Sequence, residues 1–174
     1  VQCYPQAFAA AAMMLGELAT VPRALILDVG GFTADYLLLK NGRADLSTCD
    51  SLENGVILLY NHIRSKASSD LDILLEETDV DAILLQGQGS SYGEEAAALV
   101  EYQAQEFVND MLSALRERQL DLRTGRVSFV GGGACLLRRQ IEASGKVAHP
   151  VFVEDVNANA KGFEYLYRCT VTGA

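Results

Sequence analysis

The sequence predicts a mixed α/β fold in which a three-stranded antiparallel meander begins the sheet and helices flank it. Three observations carry this prediction. An apolar run ends at a pair of glycines, an Asn-Gly dipeptide joins two strand-like segments, and a later apolar run leads directly into three glycines and a helix. Apolar runs of this length bounded by glycine are typical of buried strands, and Asn-Gly is a strong signal for a tight hairpin.

The meander occupies the first third of the chain. Residues 5–18 are rich in Ala and Met and predict a helix that precedes it. Ala24–Val29 is the continuous apolar run of a buried strand. Asp35–Lys40 and Arg43–Cys49 predict two further strands, joined by Asn41-Gly42 because both residues tolerate a positive φ.

Helices dominate the middle of the chain, and strands return near its end. Helices are predicted over Leu52–Ile63, Asp70–Glu77, Asp79–Leu85 and Glu94–Arg118, with a loop over Gln86–Gly93. The remainder predicts a strand at Val127–Val130, a helix from Ala134 to about Ala143, a strand at Pro150–Val153 and a helix at Asn159–Tyr167. The predicted order is therefore βββα, further helices, and then αβαβα.

Composition limits the class of function. The 174 residues carry 14 basic and 23 acidic side chains, a net charge of −9. A broad nucleic-acid surface needs clustered Lys and Arg, so direct nucleic-acid binding is not expected. The sequence has no 18-residue apolar run, so no membrane association is expected. Its four scattered cysteines predict reduced thiols and a cytoplasmic location.

The first candidate site is the turn between the first two predicted strands, Asp28-Val-Gly30-Gly31-Phe-Thr33-Ala-Asp35. Glycines let backbone N–H groups approach a ligand, and successive amides in such a turn form an anion-binding nest. Asp28 and Asp35 can hold a hydrated Mg²⁺ beside bound phosphates. The alternative is a glycine-rich hairpin with two turn-capping aspartates. The spacing is not that of a P-loop.

The second candidate site is Gly131-Gly132-Gly133, between a predicted strand and a helix. Three glycines allow a ring or sugar to lie against the backbone, and the helix N-terminus attracts negative charge. The alternative is a tight strand-to-helix turn. Two glycine turns, each leaving a predicted strand, favour a ligand more strongly than either turn alone.

These residues resemble a known superfamily. The Asp28–Asp35 segment resembles the phosphate-2 loop of the actin, heat-shock chaperone and sugar-kinase ATPases, and Gly131–Ala134 resembles their adenosine loop. The likeness is strongest to the ParM/StbA bacterial actin-like ATPases of plasmid segregation. Further segments resemble that group in order along the chain: Tyr4–Ala10, Asp50–Val56 and Asn157–Tyr165.

The resemblance implies roles for individual residues. It implies that Gln6 aligns the attacking water and that Asp28 orders Mg²⁺, with Asp35 as a further metal-site residue. The nucleotide contacts that it implies are Gly30, Gly31, Thr33, Asn54, Gly131, Gly132 and Gly133. The cofactors would be ATP and Mg²⁺.

The resemblance also implies an architecture and a function. A ribonuclease H-like, actin-type lobe is expected over residues 1–174, with a helical insert at about 50–93; a first lobe with a phosphate-1 hairpin is not seen before Val1. The expected function is the ATP-binding half of a filament-forming ATPase for plasmid or other DNA segregation, through self-association and a DNA-binding adaptor protein. This half alone is expected to be inactive. A small-metabolite kinase and a non-hydrolysing actin-like scaffold remain alternatives.

Overall fold

In a computed structural model, which describes residues 6–86, 92–155 and 157–172, a five-stranded sheet lies between two layers of helices. The strands are β1 Arg23–Val29, β2 Ala34–Lys40, β3 Arg43–Leu52, β4 Arg126–Val130 and β5 Pro150–Phe152. The helices are α1 Gln6–Ala12, α2 Leu15–Leu18, α3 Val56–Leu71, α4 Glu77–Gln86, α5 Glu94–Glu117, α6 Gly132–Leu136, α7 Arg138–Ala143 and α8 Ala158–Thr172. The predicted fold class is confirmed.

The sheet has the order β3-β2-β1-β4-β5. The first three strands form the predicted antiparallel meander, and β4 and β5 add to β1 in parallel. The hairpin at Asn41-Gly42 is confirmed, with φ of 50° and 73° at its two residues. β1 is thereby central, which explains why its sequence is apolar on both faces.

The two faces of β1 belong to two hydrophobic clusters. Leu25, Leu27 and Val29 pack with α3, α4 and α5 in the larger cluster. Ala24 and Ile26 pack with α1 and α8 in the smaller one. Because side chains alternate along a strand, Asp28 lies on the α1/α8 face.

Several predicted helix boundaries are wrong. The helix predicted over Leu52–Ile63 begins at Val56, because β3 continues to Leu52. Residues 70–77, all of which the structure describes, do not form the separate helix that was expected there. Instead α3 runs to Leu71, and Asp72 ends α3 in a left-handed conformation with φ of 54°. Acidic residues are typical of helix N-termini, which is why the sequence predicts a helix start here. In the structure Asp72 is instead the C-cap of α3, and the residues after it connect α3 to α4.

Two predicted helices are interrupted. The helix predicted over 5–18 is divided by a turn at Met13–Met14, where the amide of Met14 bonds to the carbonyl of Ala11. The helix predicted from Ala134 is divided at Leu137 into α6 and α7. The predicted start at Pro5, and residues 87–91 of the loop predicted over Gln86–Gly93, lie outside the described residues.

The two helices α1 and α8 cross closely on the smaller cluster. Gly162 of α8 lies against the backbone carbonyl of Ala9 in α1, and Ala158 packs with Ala7 and Ala10. This crossing fixes the first turn of α8 next to the end of β1. Among the described residues, none of the helices has the length and apolar character needed to cross a bilayer.

Candidate functional site

The two glycine turns lie side by side at one edge of the sheet. β1 and β4 are parallel neighbours, and Asp28 is in register with Val130. Both strands therefore end at the same level, where one leads into Gly30-Gly31 and the other into Gly131–Gly133. In open α/β sheets the crevice outside the carboxyl ends of the strands is the usual place for a ligand.

The first turn is built around the start of α3. The amide of Gly30 bonds to the carbonyl of Thr33 at 2.9 Å, which closes the turn. The carbonyls of Gly30, Gly31 and Phe32 accept hydrogen bonds from the first amides of α3 and its cap, at 3.0–3.1 Å. A Cβ at Gly55, the cap residue, would lie 2.2 Å from the Gly31 oxygen. Only glycine therefore fits at this contact.

Because the carbonyls of the first turn bond to α3 and its cap, the N–H groups of the turn face away from α3. The carbonyls of the turn point at α3, and within the described residues no acceptor is recorded for the amides of Gly31, Phe32 and Thr33. Gly31 and Phe32 are exposed. Three consecutive amides that lack protein partners can donate hydrogen bonds to an anion, as in an anion-binding nest.

The three glycines of the second turn have different surroundings. Gly131 has φ of 91° and ψ of 162°, a conformation almost confined to glycine, and lies directly over the Asp28 carboxylate. Gly133 is buried against Val29 and Val56. Gly132 is exposed, and a Cβ at this residue would meet no atom within 4 Å. Two of the glycines are thus required by packing, and the space beside Gly132 is open.

The two turns line one cavity of about 470 Å³. Its lining consists of Gly30, Gly31, Gly132 and Gly133 from the turns and of Val56, Tyr60, Asp81, Leu85, Cys135 and Leu136 from the helices. Its volume falls in the range of pockets that hold small organic ligands and cofactors. The cavity combines apolar walls with backbone donors at one end.

Asp81 and Tyr60 form the polar part of the helical wall, and no sequence pattern singles them out. Asp81 stands in an acidic stretch that is typical of a solvated helix face. In the structure the Tyr60 hydroxyl donates to Asp81 Oδ1 at 2.5 Å. Burial and this contact raise the pKa of Tyr60, so the phenol stays protonated. No partner for Asp81 Oδ2 is recorded among the described residues, so this oxygen can accept from a ligand.

Asp28 is almost fully buried beside the cavity rather than in its lining. The residue is 3% exposed, and its Oδ2 accepts a hydrogen bond from Asn159 Nδ2 at 2.6 Å. Burial raises the pKa of the Asp28 carboxyl, the Asn159 hydrogen bond lowers it, and the charge of Asp35 raises it, for a net upward shift. Asn159 has no assigned role in the sequence-derived site.

Asp35 faces the same side of the sheet as Asp28. The two are directly paired across β1 and β2, so their side chains lie on one face. Asp35 also accepts a hydrogen bond from the Ser51 hydroxyl. A cation beside this pair would relieve the like charge, and Mg²⁺ commonly takes one or two carboxylates with phosphate oxygens and water. Among residues 6–86, 92–155 and 157–172, no cluster of three or more His, Cys, Asp or Glu could hold a metal unaided.

The remaining predicted site residues lie apart from the cavity lining. Gln6 is exposed at the first residue of α1. Thr33 is half-buried at the end of the first turn. Asn54 lines a different cavity, between α3 and α5, together with His62 and Tyr102. The structure therefore groups the five glycines with Asp28 and Asp35 at one strand edge, and it does not bring Asn54 or Gln6 into that cavity.

A larger cavity of about 810 Å³ lies at the opposite edge of the sheet. It is bounded by the starts of β1, β4 and β5, including Arg23, Arg126 and Pro150. Strand starts in α/β sheets seldom carry the chemistry, and neither glycine turn reaches this edge. We therefore assign the candidate site to the smaller cavity.

Comparison with known proteins agrees with this geometry. The model of a family described as archaeal actin homologue MreB-like, C-terminal, matches residues 26–143. This interval contains both glycine turns and every residue that lines the cavity. A search of curated proteins finds no significant sequence match.

Solved structures with the same fold come from several actin-like groups. The archaeal actin homologue Ta0583 superimposes with a TM-score of 0.67 at 19% identity, covering 95% of this chain and 55% of that chain. A ParM filament from Clostridium botulinum gives 0.71 at 13% identity, with 95% and 52% coverage. MreB 5 of Spiroplasma citri, bound to AMPPNP, gives 0.67 at 17% identity, with 97% and 59% coverage. The chain spans little more than half the length of these proteins.

Proposed function

Because the chain belongs to the family of MreB-like archaeal actin homologues, in the part described as C-terminal, we propose that it is the nucleotide-binding second lobe of an actin-like, filament-forming ATPase. On this proposal residues 1–174 form the lobe, and the region at about 50–93 is its helical insert. A single observation carries the assignment. Two glycine turns that leave neighbouring parallel strands open into one cavity of about 470 Å³.

The phosphate end of the ligand would lie on the first turn. The unpartnered amides of Gly31, Phe32 and Thr33 would donate to phosphate oxygens. The absence of side chains at Gly30 and Gly31 leaves the backbone accessible from the cavity. When bound there, Mg²⁺ would neutralise phosphate charge as phosphoryl transfer proceeds. Asp28 and Asp35 are the carboxylates of this chain that would hold the ion or its water shell.

The nucleoside end would lie between α6 and α4. The open face of Gly132 gives a planar ring access to the backbone, and Leu85 and Leu136 supply apolar walls. Asp81 faces this space with one carboxylate oxygen available, held by Tyr60 through the other. A carboxylate accepts but does not donate, so it would select hydroxyl or N–H groups of the nucleoside. Asn54 would reach the ribose only from outside this cavity.

Hydrolysis would need more than this lobe. Gln6 would align the attacking water, since an amide positions water but is a poor base. Its exposed place at the start of α1 leaves it accessible to groups from another lobe. Closure of two lobes normally excludes water and completes an active site. We therefore expect this lobe alone to bind ATP weakly and to release no phosphate.

The wider role that we propose is DNA segregation by filaments in the cytoplasm. The support is similarity to a protein whose structure is described as a ParM filament. The net charge of −9 favours contact with DNA through an adaptor protein rather than directly. Self-association would be the primary interaction, and the adaptor would connect the filament to its DNA.

The experiment that tests this function combines nucleotide binding with light scattering. ATP affinity of the full-length protein is measured by calorimetry with Mg²⁺, and scattering is followed in the same buffer with ATP, with ADP and without nucleotide. We expect micromolar or tighter binding and scattering that depends on ATP. Binding without scattering would move the phosphotransferase alternative ahead, and absence of binding would refute the nucleotide site.

Asp81→Asn identifies the cavity as the place of binding. It removes the charge of the acceptor at constant size and should weaken ATP binding several-fold. Glu77→Gln is the matched control, because Glu77 is an exposed residue of the same helix that does not line the cavity. Equal affinities for the two variants would place the nucleotide elsewhere.

A further inference from the structure

One side-chain hydrogen bond ties the last helix to the centre of the sheet. Asn159, the second residue of α8, donates from Nδ2 to Asp28 Oδ2 at 2.6 Å across 131 residues of sequence. It is the one side-chain hydrogen bond to Asp28 recorded among the described residues. The bond joins a helix that follows the sheet to the carboxylate that ends the central strand.

The other Asp28 oxygen is confined as well. A Cβ placed on Gly131 would lie 2.5 Å from Oδ1, so the backbone of the second glycine turn passes directly over it. With Oδ2 held by Asn159 and Oδ1 beneath Gly131, rotation of the carboxylate is restricted from both sides. The orientation of Asp28 is therefore set by two separate elements, the turn after β4 and the first turn of α8.

The side-chain amide of Asn159 has its nitrogen toward Asp28, and this orientation leaves the amide oxygen unpaired. Its Oδ1 is buried and has no hydrogen-bond partner in the described structure. An unpaired buried acceptor is unfavourable, because it loses its hydrogen bonds to water on folding and gains none in return. Reversing the amide would bring Oδ1 against the Asp28 carboxylate, two acceptors facing each other. The observed orientation is thus the one that holds the carboxylate, and the other half of the amide stays unpaired.

We propose that Asn159 is a positioning residue that fixes the Asp28 carboxylate for the cation and phosphates of the nucleotide. This inference rests on the proposed nucleotide site. It assigns to α8 a direct part in the geometry of that site, since Asn159 lies one turn before Gly162, where α8 crosses α1. Loss of the Asn159 side chain should weaken the dependence of ATP binding on Mg²⁺, and it should leave ATP binding in the absence of Mg²⁺ unchanged.

The test is ATP binding to the full-length protein at a series of Mg²⁺ concentrations. For Asn159→Ala we expect the half-saturating Mg²⁺ concentration to rise about fivefold or more, with affinity for ATP in EDTA within twofold of the wild type. Asn159→Ser, whose hydroxyl can also donate, should recover part of the loss. Asn157→Ala is the matched control, because Asn157 is exposed and precedes α8. It should leave both quantities unchanged.

A double-mutant cycle separates positioning from simple stabilisation. In an Asp28→Ala background, Asn159→Ala should have no further effect on the Mg²⁺ dependence, since the group that it positions is absent. A lower melting temperature with an unchanged Mg²⁺ midpoint would overturn the inference and make Asn159 structural. If Asn159→Ala does not fold, Asn159→Leu, which has a similar volume and no donor, decides, and a wild-type Mg²⁺ midpoint for that variant would likewise overturn the inference. A wild type that binds no ATP would instead refute the nucleotide site, and this inference with it.

Discussion

Substituting the three consecutive glycines one at a time should separate binding from folding. Gly132 is the first residue of α6 and is exposed, and no atom lies within 4 Å of the position that a Cβ would occupy. The Cβ of Gly132→Val therefore enters open space beside the cavity, and its methyl groups would occupy room that a ligand needs. Replacing glycine by another residue in a helix is neutral to favourable by up to about 1 kcal/mol. We expect an unchanged melting temperature and at least a tenfold loss of ATP affinity, equivalent to about 1.4 kcal/mol.

Gly131→Ala should give the opposite result. Its φ of 91° and ψ of 162° cost a non-glycine residue about 1–3 kcal/mol. The new Cβ would also lie 2.6 Å from the Val29 carbonyl oxygen, and overpacking of this kind costs about 1–3 kcal/mol. Together we expect destabilisation of about 2–4 kcal/mol, because the two effects partly overlap as the turn relaxes. In a domain of this size that lowers the melting temperature by about 4–16 °C.

The assay is differential scanning fluorimetry beside calorimetric titration with ATP, on both full-length variants and the wild type. The reasoning fails if Gly132→Val binds ATP as tightly as the wild type while it remains folded, because the cavity beside Gly132 would then not hold the nucleoside. It also fails if Gly132→Val melts far below the wild type, since Gly132 would then have a structural role. A wild-type melting temperature for Gly131→Ala would show that the turn tolerates a side chain.

The same end of the sheet allows three more tests. Gly55→Ala should lower the free energy of unfolding by about 3 kcal/mol or more, because its Cβ would meet backbone atoms of Gly31 and Phe32 at 2.2 Å. Urea unfolding measures this loss, and a loss below about 1 kcal/mol would contradict the close contact. Burial raises the folded-state pKa of Asp28 above 3.8, so its contribution to stability is complete in acid and is lost as the pH rises through the raised value. Asp28→Asn should therefore melt above the wild type at pH 7, and the gap should close below about pH 4; a lower melting temperature at pH 7 would show the reverse sign. Gln6→Ala should bind ATP normally but release phosphate about tenfold more slowly, with longer-lived filaments in light scattering; normal phosphate release would remove Gln6 from the mechanism.

The sequence was sufficient for the sheet because the relevant signals there are local. Asn41-Gly42 fixes its hairpin through its own φ values, and the apolar run of β1 fits only a strand covered on both faces. Helix boundaries depend on contacts that are distant in sequence. α3 begins at Val56 because the turn at Gly30–Phe32 receives its first amides, a contact that no window of sequence around residue 56 contains.

Glycine patterns in the sequence mark the two turns of the candidate site, whereas the residues that tertiary packing brings to it carry no such pattern. The parallel register of β1 and β4 brings the five glycines of the two turns to one edge, and their role in binding stays a prediction. Asp81 was missed because an acidic helix carries the same sequence signal whether it faces solvent or a cavity. Asn159 was assigned no role because its partner lies 131 residues away.

The unfavourable features of this structure are concentrated at the end of β1, and this concentration itself argues for a functional site. Asp28 is a nearly buried carboxylate paired with a like charge, Asn159 leaves a buried oxygen unpaired, and Gly131 holds a backbone conformation almost confined to glycine. Each feature costs stability, and a neutral residue at position 28 would remove the largest of them. Selection for stability alone would not retain three unfavourable features around one carboxylate, with Asn159 and Gly131 both next to Asp28. On the proposed function, the Asp28 carboxylate would present an oriented negative charge to a cation, and Asn159 and the backbone at Gly131 would hold that carboxylate in place.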